Sequence, residues 1–324
     1  MSVKVLRRAV LALAACALAA GGAFAQAAWP TKPVRIVVPY PAGGLSDFQA
    51  RAIQEPLAKL LGQPVIIDNK PGASAAIGTQ ATATATDGHT FVFVNNGFLI
   101  TPFLYKQAGY DALKDLAPIT TVTTSPMVLV VHPSVPANDV AEFVRWAKTQ
   151  PRGIEYGSAG TASFGHMAVA LFAQATGLKL VHVPYKGEAP MTMAVRSGEV
   201  KMLITTPSPS MMGAVKEGKL KLLGVASSQP APLLPGVKTI AETVPGYTAE
   251  VWFGLLGPAS TPPQVVTRMH DAVARVLEMQ DIKEKFAGVG ALAVATQPQA
   301  FARNLSAESG RWGDLIARTG IKAE

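Results

Sequence analysis

The chain has 324 residues, of which 49% are hydrophobic and 15% charged, with a mean hydropathy of +0.26 and a formal net charge of +8. That length supports two ordinary domains with a buried core, and the low charge excludes bulk disorder. One cysteine excludes a disulfide framework, and no Cys/His cluster has zinc-ligand spacing.

Residues 1–25 read as an export signal. Lys4, Arg7 and Arg8 precede an unbroken apolar run over residues 9–20, and Ala23-Phe24-Ala25 puts small residues where a signal peptidase reads. The run is diluted by alanine and no stop-transfer charges follow it, which argues against a transmembrane helix. A second processing route stays open. Leu13-Ala14-Ala15-Cys16 has the form of a lipobox, in which the cysteine is acylated and becomes the new N-terminus. The expected cleavage after Ala25 removes three basic residues and no acidic one, so +8 becomes +5, and the cysteine goes too. An exported, cysteine-free chain fits a bacterial periplasm.

The rest alternates β-branched runs with amphipathic stretches. Residues 34–39 read as a buried strand and Pro41-Ala42-Gly43-Gly44-Leu45 as a turn. A helix follows, capped by Ser46 or Asp47, with apolar positions Phe48, Ile53, Leu57, Leu60 and Leu61. Pro56 is expected to kink or break it, and Gly62 closes it. Residues 65–67 are a strand, 73–85 a helix, 91–94 a strand and 127–131 a strand. A helix is expected over 140–149, a strand over 154–157, a helix over 166–177 and a strand over 179–183. Strands at 202–204 and 222–226 precede helices at 264–278, 281–287 and 297–319. This alternation predicts mixed or parallel sheets with helices on both faces.

Ligands of open α/β sheets bind beyond the carboxyl ends of the strands. Five loops there share one chemistry of small and polar residues. They hold Ala42, Gly43, Gly44, Ser46 and Asp47; Asn69 to Gly72 with Ser74; Asn95, Asn96 and Gly97; Ser158, Ala159, Gly160 and Ser163; and Tyr185 with Lys186. Small residues let backbone approach a ligand, and a helix N-terminus offers free N–H groups with partial positive charge. Any one loop alone reads first as a glycine turn joining strand to helix. Five together point to a cleft for a small organic anion.

Other chemistries lack support. No phosphate-binding glycine motif, no G-x-S-x-G elbow and no H-E-x-x-H pattern occurs, so neither cofactor nor metal is expected. Charge runs of five or more are absent, which argues against nucleic acid. His166, at a helix start, reads either as a ligand donor or as a packed histidine. His182 reads as structural, and Trp252-Phe253-Gly254 as core.

The order of these loops resembles the solute-binding proteins of tripartite tricarboxylate transporters, the Bug family. The resemblance runs from about Trp29 to the C-terminus. It is carried by Pro39-Tyr40-Pro41-Ala42-Gly43-Gly44 with Asp47 and Arg51, by Asn69-Lys70-Pro71-Gly72-Ala73 with Ile77-Gly78, and by Asp87-Gly88-His89-Thr90. Tyr110-Asp111, Asp115 to Ile119, Tyr156-Gly157-Ser158-Ala159-Gly160 with His166, and His182-Val183-Pro184-Tyr185-Lys186-Gly187 continue it. Trp252-Phe253-Gly254 and Pro258-Ala259-Ser260-Thr261-Pro262 close it.

The resemblance implies an α/β, two-lobed periplasmic binding protein of the Venus-flytrap, type II-like class, with mixed sheets flanked by helices. One lobe is expected over 29–125 plus 226–324, the other over 126–225. It implies a carboxylate bound by Ala42, Gly43, Gly44, Ser46 and Asp47 on one side, partly through ordered waters, and by Ser158, Ala159, Gly160 and Ser163 on the other. Pro41, Ser74, Ala162 and Lys201 depart from the family's usual residues, which leaves ligand identity open. The expected function is a non-catalytic, monomeric periplasmic receptor that hands a carboxylate to membrane transporter subunits. The alternatives are a ligand sensor with a signalling partner, or an exported hydrolase using Ser158 or Ser163 with His166.

Overall fold

Val34–Val38 is a strand because four of its five residues are buried, as suits a strand covered on both faces. The computed structural model describes residues 29–105, 107–161 and 163–322. The export segment, with Cys16 and Ala25, and Ala162 lie outside the described residues.

In chain order the strands are β1 (Val34–Val38), β2 (Val65–Asn69), β3 (Thr90–Asn95), β4 (Leu116–Pro126), β5 (Val128–Val131), β6 (Ile154–Ser158), β7 (Leu180–Pro184), β8 (Met202–Thr205), β9 (Lys221–Val225), β10 (Glu250–Pro258) and β11 (Leu292–Ala293). The helices are α1 (Leu45–Leu61), α2 (Ala76–Ala83), α3 (Gly97–Leu104), α4 (Val140–Lys148), α5 (Phe164–Thr176), α6 (Glu188–Ser197), α7 (Pro209–Lys216), α8 (Pro263–Glu278), α9 (Gln280–Ala287) and α10 (Pro298–Thr319).

Two mixed sheets result. The first has the order β11-β4-β10-β3-β1-β2 and the second β7-β6-β8-β5-β9. In the first, β2 and β3 pair parallel to β1, and β10 pairs antiparallel with both β3 and β4. In the second, β7 and β8 pair parallel to β6, while β5 runs antiparallel to β8 and β9. The chain crosses between sheets at Met127 and again through Ala226 to Ala249. Backbone bonds knit these crossings: Met127 N–H to Ala249 O at 3.0 Å, Ala226 N–H to Met127 O at 2.7 Å and Ala249 N–H to Ala226 O at 2.8 Å. Two mixed sheets flanked by helices and joined by these crossings make a two-lobed arrangement.

Several local expectations change. Neither Ser46 nor Asp47 caps α1: the N-cap is Gly44, in extended conformation, without a side-chain cap. Pro56 does not break α1, which continues to Leu61 because Ile53, Leu57 and Leu61 are anchored in the core. Helix α2 starts at Ala76 rather than Ala73, because Ala73, Ser74 and Ala75 have φ of 46°, 51° and 74°. A left-handed backbone cannot extend a right-handed helix. The unanticipated β4 has Pro118 within it, and β10 contains Gly254 and Gly257, and these residues weaken a strand signal.

Candidate functional site

Because β1, β2 and β3 are mutually parallel or share a parallel partner, their carboxyl ends lie on one edge, where α1, α2 and α3 begin. Likewise β6, β7 and β8 deliver the starts of α5, α6 and α7 to one edge of the second sheet. The two edges approach each other. Ile100 in α3 and Met167 in α5 share a buried cluster with Trp312 and Leu315 of α10. Phe164, the first residue of α5, packs edge-on against Trp312 with ring centroids 5.3 Å apart.

On the first edge, Pro41, Ala42, Gly43 and Gly44 are exposed while Ser46 and Asp47 are buried. Gly43 has φ of +80°, and a Cβ there would meet nothing within 4 Å, so conformation rather than space demands glycine. Among the described residues, no acceptor takes the N–H groups of Leu45, Ser46 and Asp47, the first three of α1. Such orphan donors carry the positive end of the helix dipole.

The Asp47 carboxylate turns inward to hold this loop. It accepts from Gly43 N–H at 2.8 Å, from Arg51 Nε at 2.9 and 3.0 Å, and from Asn69 Nδ2 at 3.0 Å. Burial alone would raise its pKa, but the bonds from Arg51, Gly43 and Asn69 outweigh burial and hold it below the usual carboxylate range. Asn69 also donates to Tyr40 O at 3.2 Å and accepts from Arg51 at 3.0 Å. Asn95 Oδ1 accepts from the Tyr40 hydroxyl and from Gly97 N–H, both at 2.9 Å. Thus Asp47, Asn69 and Asn95 tie the ends of β1, β2 and β3 into one network. A groove of about 680 Å³ opens beside Gly43, Asp47, Phe48 and Arg51.

The second loop is held under strain. Ser74 is exposed, and its left-handed backbone is fixed by Thr101 Oγ1 donating to Ser74 O at 2.8 Å and by its own hydroxyl bonding Tyr105 at 3.1 Å. Gly78 brings α2 onto the first loop: a Cβ there would stand 2.8 Å from Pro39 Cβ and 2.9 Å from Lys70 O.

On the opposite edge, Ser158 is buried. Its hydroxyl donates to Gly160 O at 2.8 Å and lies 2.6 Å from His182 Nε2. His166 stacks on His182, centroids 3.8 Å apart and planes 13° from parallel. Burial, and then the neighbouring His182, pull the His166 pKa down to about 4, so its ring is neutral at neutral pH. Ser163 caps α5 through the N–H of His166 at 3.4 Å. Ala159 is exposed and Gly160 half-buried. Tyr185 points its hydroxyl to Glu199 at 2.8 Å, and burial followed by that carboxylate pushes its pKa up to about 12. The 2.6 Å contact thus pairs Ser158 with His182, a pairing the hydrolase alternative does not name.

Known proteins share this architecture. The tripartite tricarboxylate transporter family receptor (TctC) pattern matches residues 49–321. This chain belongs to that family. Rpa4515 of R. palustris, solved with adipate, is 34% identical with a TM-score of 0.77, over 91% of this chain and 99% of that one. MatC of Rhodopseudomonas palustris, solved with bound malate, is 29% identical with a TM-score of 0.74, over 89% and 100%. The periplasmic binding protein BugD is 28% identical with a TM-score of 0.74, over 91% and 100%. This TctC-family chain is a solute-binding receptor, and its family and structural neighbours are binding proteins rather than enzymes.

Residue-type reasoning overlooked Glu308, which accepts from Trp252 Nε1 at 2.9 Å, Trp312 Nε1 at 3.4 Å and Asn96 Nδ2 at 3.4 Å. Burial raises its pKa, against the pull of Arg311 and these donors. A readable signal existed. Glu308 interrupts the buried stripe Phe301, Leu305, Trp312, Leu315 at helical spacing.

Proposed function

We propose that this receptor binds a small organic carboxylate, aliphatic and bearing more than one acid group, between the loop before α1 and the loop before α5. The observation that carries this is the orphan N–H trio of Leu45, Ser46 and Asp47 beneath an exposed loop of small residues. A carboxylate accepts such donors without an arginine of its own. The nearby Asp47 does not repel it, because Arg51 and Gly43 N–H already compensate that charge.

Ala42, Gly43, Gly44 and Ser46 serve one side, and Ser158, Ala159, Gly160 and Ser163 the other. Asp47, Asn69, Asn95 and His166 hold the loops in shape, Ser74 borders the first side, and Tyr185 supports the second from behind. Lobes over 29–125 plus 226–324 and over 126–225 close on the ligand, and membrane subunits recognise the closed form. The ligands of Rpa4515 and MatC, adipate and malate, motivate the choice of acid class. The chain acts as a periplasmic monomer, exported by the signal over residues 1–25. It is non-catalytic in this reading, which rests on its family and structural neighbours being binding proteins rather than enzymes.

A thermal-shift screen of monocarboxylates, adipate, malate, citrate and benzoate tests this reading. Di- or tricarboxylates raise the melting temperature by mass action. A response to sugars or cations but to no carboxylate overturns it.

A further inference from the structure

A cavity of about 390 Å³ shares no residue with the ligand loops. Its wall joins both sheets and the crossing between them. Pro126 and Leu292 come from the β4 and β11 side, Pro207 and Met212 from the end of β8 and from α7, and Leu234 from the segment that links β9 to β10. The two halves touch here: a Cβ on Gly290, whose φ is +73°, would stand 2.7 Å from Pro207 O. The Gly290 carbonyl is in turn held by the Ser125 hydroxyl at 2.7 Å.

The lining is mostly proline, leucine, alanine and methionine. Lys216 is the one charged side chain among the described lining residues. Small-molecule sites are cavities of about 300–1,000 Å³, largely apolar, with few polar groups, and they favour domain interfaces. An apolar body removed from water gains by burial, and a single cation at the rim selects a single negative charge.

We propose that this cavity is a second ligand site, for an apolar monocarboxylate whose hydrocarbon part enters between the halves and whose carboxylate meets Lys216. It uses none of the residues assigned to the carboxylate loops, so the two sites stand or fall separately.

Gly213 supplies the test. It lies inside α7 and lines the cavity, and a Cβ there would meet nothing within 4 Å. Leucine at that position adds bulk without a backbone clash and is the better helix former. Calorimetric titration with octanoate and with 1-octanol is made on the parent chain, with and without excess adipate, and on Gly213→Leu and Lys216→Met. The parent binds octanoate at a saturable site and prefers it to octanol. Gly213→Leu weakens octanoate at least about tenfold, as overpacking of a filled cavity does. Lys216→Met weakens it by about fivefold, the scale of one exposed charge pair, and removes the preference over octanol. Excess adipate changes nothing. No saturable octanoate binding, equal binding of octanol by the parent, or displacement of octanoate by adipate overturns the proposal. Should Gly213→Leu fail to fold, Lys216→Met decides, and unchanged octanoate affinity there overturns it.

Discussion

Asp47 Oδ2 accepts the N–H of Gly43 at 2.8 Å, so the buried carboxylate in the first turn of α1 faces back into the exposed loop before it. An anionic ligand at the orphan donors of α1 thereby meets helix dipole and not bare negative charge.

Removing that carboxylate tests the arrangement. Asp47→Ala strands Gly43 N–H, Arg51 and Asn69, and costs about 1–3 kcal/mol, the range for unmade buried hydrogen bonds. The folded pKa of Asp47 is depressed, so its contribution is present above the unfolded value near pH 4 and is lost as pH falls through the folded value. Urea titrations at pH 7 and pH 3 check both statements. The variant's deficit is full at pH 7 and smaller at pH 3.

His166 has the opposite chemistry and its own window. Its folded pKa of about 4 lies below the ordinary 6.5, so the unfolded chain binds the extra proton between those values. Stability therefore rises with pH across that interval, by up to about 3 kcal/mol at one pKa unit per 1.4 kcal/mol. His166→Gln flattens the slope of unfolding free energy between pH 4 and 6.5. An unchanged slope contradicts the buried neutral ring.

Gly78→Ala forces Pro39 and Lys70 O apart, because the added Cβ would approach them to 2.8 and 2.9 Å. The expected cost is about 1–3 kcal/mol, as for other overpacked contacts. Carboxylate affinity falls with it, since both loops shift. Chemical denaturation and calorimetry on one sample read the two effects.

Ala73→Gly acts the other way. Ala73 is exposed and has φ of 46°, where an L side chain is strained and glycine is not. The melting midpoint rises by an amount equivalent to about 1 kcal/mol, the size of the left-handed penalty less the backbone entropy of glycine. A lowered midpoint contradicts the strained backbone at this position.

Much of the α/β alternation was legible because β1, β3 and β5 are short, nearly continuous apolar runs, and because α8 and α10 carry clear helical stripes. The loops at the strand ends stood out by their glycines. What lay outside local pattern was tertiary. Helix α1 survives Pro56 because Ile53 and Leu57 are buried on its core side, and the left-handed Ala73, Ser74 and Ala75 are stabilised by Thr101 and Tyr105 far along the chain. Composition marks Asp47 and Asn69 as polar loop residues. Only the folded geometry turns their side chains back onto Gly43 and Tyr40.

The central claim is that charge on a small carboxylate, met by the α1 donors, drives capture. Calorimetric titration of adipate against its neutral diamide, with malate and citrate alongside, tests it most directly. At least one of the free acids is expected to bind with a single site while the diamide stays at least about a hundredfold weaker, the loss of two or three charge-assisted bonds. Diamide binding as tight as the acid, or no binding by any of the three acids, contradicts it.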